Sequence, residues 1–471
     1  MDGAALAVAI KNAASVTTYA VMFTAARAAA GNSAMQCNWS LEHWSLEHWS
    51  LEHCRTAMKP TRPRPRPATL VLQPDVPPAD GEPLVVPIVT ATSFARAGID
   101  SAAPHRYSRE SNPTVSALED VLGRLENAQA LCFSSGLAAE TTLLLATVRT
   151  GDHVVCSRAV YGGTTRLLQQ VFAPLGITAT FVDTGDANNV AAALQPRTKL
   201  CLIETPANPT LRLSPLAAIA DVVVPRGIVL AVDNTFLTPV LQQPLDLGAT
   251  ITVQATTKFV EGHSSALGGS LATRDAQLRD RLFFLRKCLG TIQSPFQAWA
   301  TLQGLKTLPL RIERQSHGAA VVAQWLAARR DVTVVHHPSL SSFPQRALAD
   351  SQHLGHHGAV VSFELAGGLE RAQRFVVAVR RCRLAEHVGA VETLLTHPAT
   401  MTHGSVPAAD RRAAGIPDAL LRLSVGLEDA ADIIADLDQA IAASAPAAST
   451  TATTAAAVHA EVAGGVSCPR I

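Results

Sequence analysis

Four stretches of the 471-residue sequence carry side chains that could do chemistry together. "ATTKFVEGHSSALGG" (255–269) sets one lysine, Lys258, among glycines, small residues and hydroxyls, with Glu261 as the nearest counter-charge in the chain. "AVDNTF" (231–236) closes an apolar run on Asp233. "FSSGLAAE" (133–140) reads as a strand, a turn and the start of a helix. "VYGGT" puts Tyr161 at another strand–helix junction. A lysine amine forms a Schiff base with an aldehyde, and a carboxylate keeps a pyridine nitrogen protonated. Free N–H groups at a helix start hold a phosphate, and an aromatic ring stacks on a heteroaromatic plane. Together these suit pyridoxal phosphate. Taken singly, each has an ordinary explanation. A lysine after a strand is usually surface charge, an aspartate there usually caps a turn, a lone tyrosine usually packs, and "SSG" is a common turn. Their order and spacing carry the reading.

The elements that would position these residues alternate. "NPTVSALEDVLGRLENA" (112–128) places Val115, Leu118, Val121, Leu122 and Leu125 on one helical face. "ALCFSSG", "HVVCS", "ATFVD", "KLCLIET", "IVLAVDNT" and "ITVQAT" are short apolar runs, mostly separated by helical segments. That pattern predicts an α/β fold, a mostly parallel sheet covered on both faces. Ligands on such sheets bind at the carboxyl ends of the strands. Ser134, Ser135, Glu204, Asp233, Asn234 and Thr256 to Lys258 gather at those ends. After about residue 310 a long helical stretch leads into shorter strands such as "AVVSFELAGG" (359–368), which predicts a smaller α+β domain.

At this point the chain resembles the pyridoxal-phosphate-dependent enzymes of cysteine and methionine metabolism, the transsulfuration family. The resemblance rests on "YSRESNPT" (107–114), "FSSGLAA" (133–139), "YGGT" (161–164), "ETPANPT" (204–210), "AVDNTF" (231–236), "TKFVEGHSS" (257–265), "GLKTLPLR" (304–311), "VETLLTHPATMTH" (391–403) and "RLSVGLED" (422–429). It implies the aspartate-aminotransferase-like fold, known as fold type I, with sites completed across a dimer and two dimers per tetramer. It also implies residue roles. Lys258 is similar to the Schiff-base lysine, Asp233 to the partner of the pyridine nitrogen, and Tyr161 to the stacking tyrosine that moves protons. Gly136 and Leu137 match backbone phosphate donors, although relatives usually carry methionine at the second. Thr257 matches a phosphate-binding hydroxyl. Tyr107 and Arg109 match a pair reaching the neighbouring subunit's phosphate. Asn208 lies near the ring hydroxyl in relatives. Arg422 matches the arginine that grips the substrate α-carboxylate, a task suited to a guanidinium fork.

Departures from the family pattern bear on which reaction is run. Ala255 stands where a phosphate-contacting serine is common. "HVGA" (387–390) replaces "SLGG", so His387 takes the place of a serine that helps place the substrate carboxylate and the lysine. A packing histidine is the ordinary alternative. Glu386 matches a glutamate of cystathionine γ-synthases and γ-lyases. Arg106 and Arg166 could recognise an acidic ester such as O-succinylhomoserine, and Arg106 could equally be solvated. Gly163 stands where methionine γ-lyases carry cysteine. The resemblance therefore points to an enzyme acting at Cγ of cystathionine or a homoserine ester, γ-synthase ahead of γ-lyase. Cystathionine β-lyase or an O-acylhomoserine sulfhydrylase is the alternative. A catalytically impaired binding protein is the reading from a different class.

Composition sets outer bounds. Lys and Arg total 39 against 38 Asp and Glu, so no field invites nucleic acid or an acidic membrane. Eight scattered cysteines without a CxxC pair argue against a disulfide framework or zinc site and for a reducing, cytoplasmic setting. No apolar run reaches the ~18 residues of a membrane span. Residues 1–57 hold "WSLEHWSLEHWSLEH" (39–53), whose His43, His48 and His53 could bind a metal. A five-residue period fits neither helix nor strand face, so the histidines would not align. The expectation is a disordered or wrongly assigned extension at 1–57 and a low-complexity tail at 443–471. Between them lie an arm reaching the partner subunit (58–110), a cofactor-binding domain (111–310) and a small domain (311–442).

Overall fold

The computed structural model describes residues 64–72, 78–404 and 406–445. The WSLEH repeat with its histidines, and the tail from residue 446 on, lie outside the described residues.

Seven apolar runs pair into one sheet. They are β1 (Gln129–Phe133), β2 (His153–Ser157), β3 (Thr178–Val182), β4 (Thr198–Glu204), β5 (Val229–Asp233), β6 (Ile251–Gln254) and β7 (Gly269–Thr273). Their order is β1-β7-β6-β5-β4-β2-β3, and only β7 runs antiparallel to its neighbours β1 and β6. Alternate residues feed two cores. Val154, Cys156, Leu200 and Leu202 pack with Leu143 and Leu144 of helix Gly136–Thr147. Val155, Cys201 and Ile203 pack on the other side with Leu216, Ile219 and Val223 of helix Leu216–Val223. Covered on both faces, the central strands need apolar residues at every position.

Helix Pro113–Glu126 begins where sequence chemistry puts it. Asn112 caps it by accepting from Thr114 N, and Pro113 fills the first position, where no N–H is needed. The second sheet, ordered β10-β11-β12-β9-β8, comprises β8 (Val332–His336), β9 (Val360–Leu365), β10 (Arg383–Leu384), β11 (Leu394–Thr396) and β12 (Leu420–Ser424). Helix Leu308–Ala327 links the two halves. Its Leu308 and Ile312 join the core around helix Pro113–Glu126, while Ala319, Val322 and Leu326 join the core of the second sheet. Among the described residues no helix is long and apolar enough to cross a membrane.

Candidate active site

Lys258 lies in a turn four residues past β6. That turn is pinned from below. Buried Arg311 donates to the carbonyls of Phe259 (2.8 Å), Val260 (3.1 Å) and Gly304 (2.7 Å). Gly262 has φ of +77°, and a Cβ there would meet the Arg311 guanidinium at 2.0 Å, so glycine is required twice over. Glu261 is not the partner of the lysine. Its carboxylate accepts from His263 N, Ser265 N and Ser265 Oγ, closing the loop on itself. Lys258 instead directs Nζ to His387 Nδ1 at 3.1 Å. Burial, and then the Arg422 charge, lower the lysine to about 8.

The helix after β1 supplies an anion site. Ser135 caps it, its hydroxyl accepting from Ala138 N at 3.1 Å. The N–H groups of Gly136 and Leu137 have no intrahelical acceptor, and they point the helix's positive end at whatever sits there. Gly136 lies against Ala255, and a Cβ on it would meet the Ala255 Cβ at 2.9 Å. The small residue at 255 thus lets the lysine turn approach the helix start. Thr257 is nearby in sequence, but its hydroxyl is engaged with Gly268, donating to the carbonyl at 3.0 Å and accepting from N at 2.9 Å.

At the ends of β4 and β5, Glu204 and Asp233 stand side by side in register. Asp233 Oδ1 accepts from Thr235 N at 2.8 Å. Glu204 accepts from Tyr161 N at 2.7 Å and from Asn208 N at 2.9 Å, so one carboxyl fixes two site residues. Gly163 leaves room for the Tyr161 ring, since a Cβ there would lie 2.3 Å from it. A third acid, Glu140, is buried within the helix and accepts from Thr164 Oγ1 at 2.7 Å. Burial raises all three carboxyls, and Asp233 raises the other two further, Glu140 to about 8. Glu140 was not read from the sequence as a site residue. Its signal is a lone acid inside the otherwise uncharged helix "GLAAETTLLLAT".

Arg422 comes from the second sheet. Fully enclosed, it donates to Asn208 Oδ1 (2.8 Å), His387 O (2.9 Å) and Thr396 Oγ1 (3.0 Å), while Nε has no protein partner. Burial lowers it to about 10, which leaves it charged at neutral pH. The strip holding His387 is pressed onto the lysine turn by Gly389. With φ of +85°, it lies so close that a Cβ would meet Phe259 N at 2.5 Å. Ser424 holds this glycine, accepting from Gly389 N at 2.8 Å.

The structure therefore brings together Lys258, His387, Arg422 and Asn208 by direct contacts, and Asp233, Glu204 and Tyr161 through the strand ends. Other predicted residues stand apart within one chain. Tyr107 is 42% exposed and carries the Arg109 guanidinium 5.3 Å above its ring, while Arg109 Nη1 donates to Lys287 O at 2.8 Å. Glu386, Arg106 and Arg166 are exposed.

The donor set fits pyridoxal phosphate. The helix start offers N–H groups and a cradle without side chains, the partly buried Asp233 offers a carboxylate, and the unpaired Arg422 Nε offers a place for a carboxylate of substrate. Comparison with known proteins agrees. Residues 69–442 match the family model described as Cys/Met metabolism PLP-dependent enzyme. Cystathionine gamma-synthase of Mycobacterium bovis is 42% identical over 358 residues, covering 76% of this chain and 91% of that protein. Cystathionine gamma-lyase of Bacillus subtilis is 40% identical over 357 residues, covering 76% and 93%. The crystal structure of cystathionine gamma synthase from Xanthomonas oryzae pv. oryzae, in complex with aminoacrylate and cysteine, superposes with a TM-score of 0.78 at 37% identity, covering 80% of this chain and 98% of that one. With a capped helix start, an acid at a strand end and a lysine turn on the first sheet and a buried arginine from the second, the chain belongs to the Cys/Met metabolism family of pyridoxal-phosphate-dependent enzymes.

Proposed function

We propose that the chain makes or breaks the C–S bond at Cγ of cystathionine or of an O-acylhomoserine, with γ-synthase ahead of γ-lyase. The observation that carries this reading is the convergence of Lys258 and Arg422 on His387, which sets an amine beside a carboxylate-binding guanidinium. When bound, pyridoxal phosphate supplies an aldehyde for the lysine and an electron-accepting ring. The protein's own residues do the rest. Arg422 holds the substrate α-carboxylate and so fixes the Cα–H direction. Lys258, lowered to about 8, is able to take and return a proton near neutral pH. Asp233 supplies the carboxylate that keeps the pyridine nitrogen protonated, beside two carboxyls that burial and the Asp233 charge push upward. Tyr161 covers the ring face. Gly136 and Leu137 hold the phosphate, while Thr257 contributes by shaping the turn through Gly268.

Tyr107 and Arg109 serve the site of a partner subunit, and the exposed tyrosine with its stacked arginine supports that assignment. Glu386, next to His387 in the chain, and the exposed Arg106 and Arg166 would recognise a succinyl or sulfur-bearing end of the substrate.

The test is to load the purified chain with pyridoxal phosphate, add L-cystathionine and identify the keto acid. 2-Oxobutyrate places cleavage at Cγ. No keto acid, together with cystathionine formed from O-succinylhomoserine and cysteine, assigns the synthase. Pyruvate would overturn the Cγ reading. A chain that stays colourless with the cofactor would overturn the enzyme reading altogether.

A further inference from the structure

Three buried side-chain amides form a chain behind the site. Asn234 follows Asp233, Gln242 follows the short helix Thr238–Leu241, and Gln352 ends helix Arg346–Gln352. Asn234 Nδ2 donates to the Gln242 carbonyl at 2.9 Å. Gln242 Nε2 donates to Asn234 Oδ1 at 2.9 Å and to the Thr205 carbonyl at 3.1 Å. Gln242 Oε1 accepts from Gln352 Nε2 at 3.0 Å, and Gln352 Oε1 accepts from Leu216 N at 3.1 Å. The two ends fix every amide in between. The Gln242 carbonyl can only accept and Leu216 N can only donate, so turning one side chain over would set donor on donor or acceptor on acceptor. A fully directed chain of this kind holds its members in one arrangement.

The chain grips the residues that follow the two strand-end carboxyls. Thr205 comes after Glu204 and Asn234 after Asp233, so the one Gln242 amide ties the ends of β4 and β5 together. Thr205 N in turn donates to Asp233 O at 3.3 Å. The Asp233 carboxylate is held by Thr235 N, and Asn234 is the residue between them. Clasping Asn234 therefore fixes the turn that aims the carboxylate. The far end of the chain belongs to the other half of the fold. Ala349, on the helix that Gln352 ends, packs in the core of the second sheet, whose β12 carries Arg422. We propose that Gln242 and Gln352 are positioning residues for Asp233, fixing the direction of its carboxylate and tying it to the half of the chain that bears Arg422. The inference rests on Asp233 being the partner of the cofactor's ring nitrogen, as proposed above.

The test uses the full-length chain. The absorbance of the lysine-bound cofactor is followed against pH, and the dissociation constant of pyridoxal phosphate is measured by adding it to cofactor-free chain. A ring nitrogen kept protonated by Asp233 puts positive charge near the lysine-bound nitrogen, which lowers the pH at which that nitrogen loses its proton. Loosening Asp233 therefore moves the midpoint up. Gln352→Met removes the donor to Gln242 and leaves Asp233 and its neighbours in sequence unchanged. Gln345→Met is the control. Gln345 bonds the Leu213 backbone in the same way, accepting at 2.8 Å and donating at 2.7 Å, with no link to Asn234 among the described residues. The expected result for Gln352→Met is a midpoint about 0.5 unit higher and cofactor binding about fivefold weaker, with Gln345→Met near wild type in both. If the methionine variant does not fold by circular dichroism, Gln352→Glu takes its place, with Gln345→Glu as control and the same outcomes expected. A variant at 352 matching its control in both quantities would overturn the proposal, as would weaker binding with an unmoved midpoint, since Asp233 would then still hold the ring proton. A wild-type chain that never colours would instead remove the cofactor reading itself.

Discussion

At the scale of single residues, the site is defined by groups held away from their ordinary ionisation. Glu140 is the clearest case. Burial first, and then Asp233, push it from 4.5 to about 8. Between these values the folded chain keeps a proton that the unfolded chain sheds. The stability tied to Glu140 is therefore full below about 4.5 and is lost as pH rises through 8. Glu140→Gln still accepts from Thr164 and cannot ionise. Chemical denaturation of the cofactor-free chains should show wild type losing ground to this variant from pH 4.5 to 8, by at most ~1.4 kcal/mol per pH unit. Parallel curves would mean that Glu140 ionises normally.

At the scale of elements, the lysine turn is shaped by what lies against it. Arg311 ties its carbonyls from one side, and Gly389 closes it from the other. Gly389→Ala sets a Cβ 2.5 Å from Phe259 N at a φ of +85°, with backbone rather than a movable side chain in the way. The expected cost is ~2 kcal/mol or more in a urea melt, with weaker retention of cofactor. Gly98→Ala is the control. Nothing lies within 4 Å of its Cβ position, and a change within ~0.5 kcal/mol is expected. Equal effects at both positions would show that close approach at Gly389 does not shape the turn.

At the scale of the whole molecule, Tyr107 and Arg109 have no contact with Lys258 inside one chain among the described residues, and they stand exposed together. If they complete a partner's site, defects in different chains can be shared out. Arg109→Ala and Lys258→Ala, each nearly inactive alone, should recover about a quarter of wild-type turnover after unfolding and refolding together, because half of the dimers formed are mixed and each mixed dimer carries one intact site of two. Turnover no higher than the average of the separate variants would place Arg109 in its own chain's chemistry.

Much of this was legible in the chain itself. The parallel strands show as apolar runs because helices cover both faces, and helix Pro113–Glu126 shows in its capping asparagine and 3.6-residue stripe. Lys258, Asp233 and Arg422 were legible as residue types in ordered motifs. Strand β7 was not, since "GSLAT" has little apolar signal. The reason lies in packing: a Cβ on Gly269 would meet Ser135 O at 2.3 Å, so small size is what that place demands. Glu140 was silent because a glutamate within a helix reads as surface until the sheet buries it. Glu261 looked like the partner of Lys258 by proximity in sequence, and its carboxylate turned to Ser265 instead. Local order along the chain determined the elements and most of the reactive groups. The resemblance had set His387 in the place of a serine near the lysine, and only the tertiary structure decided that its Nδ1, rather than the Glu261 carboxylate, receives Lys258, because close contact between two loops depends on where Gly389 lets the backbones meet.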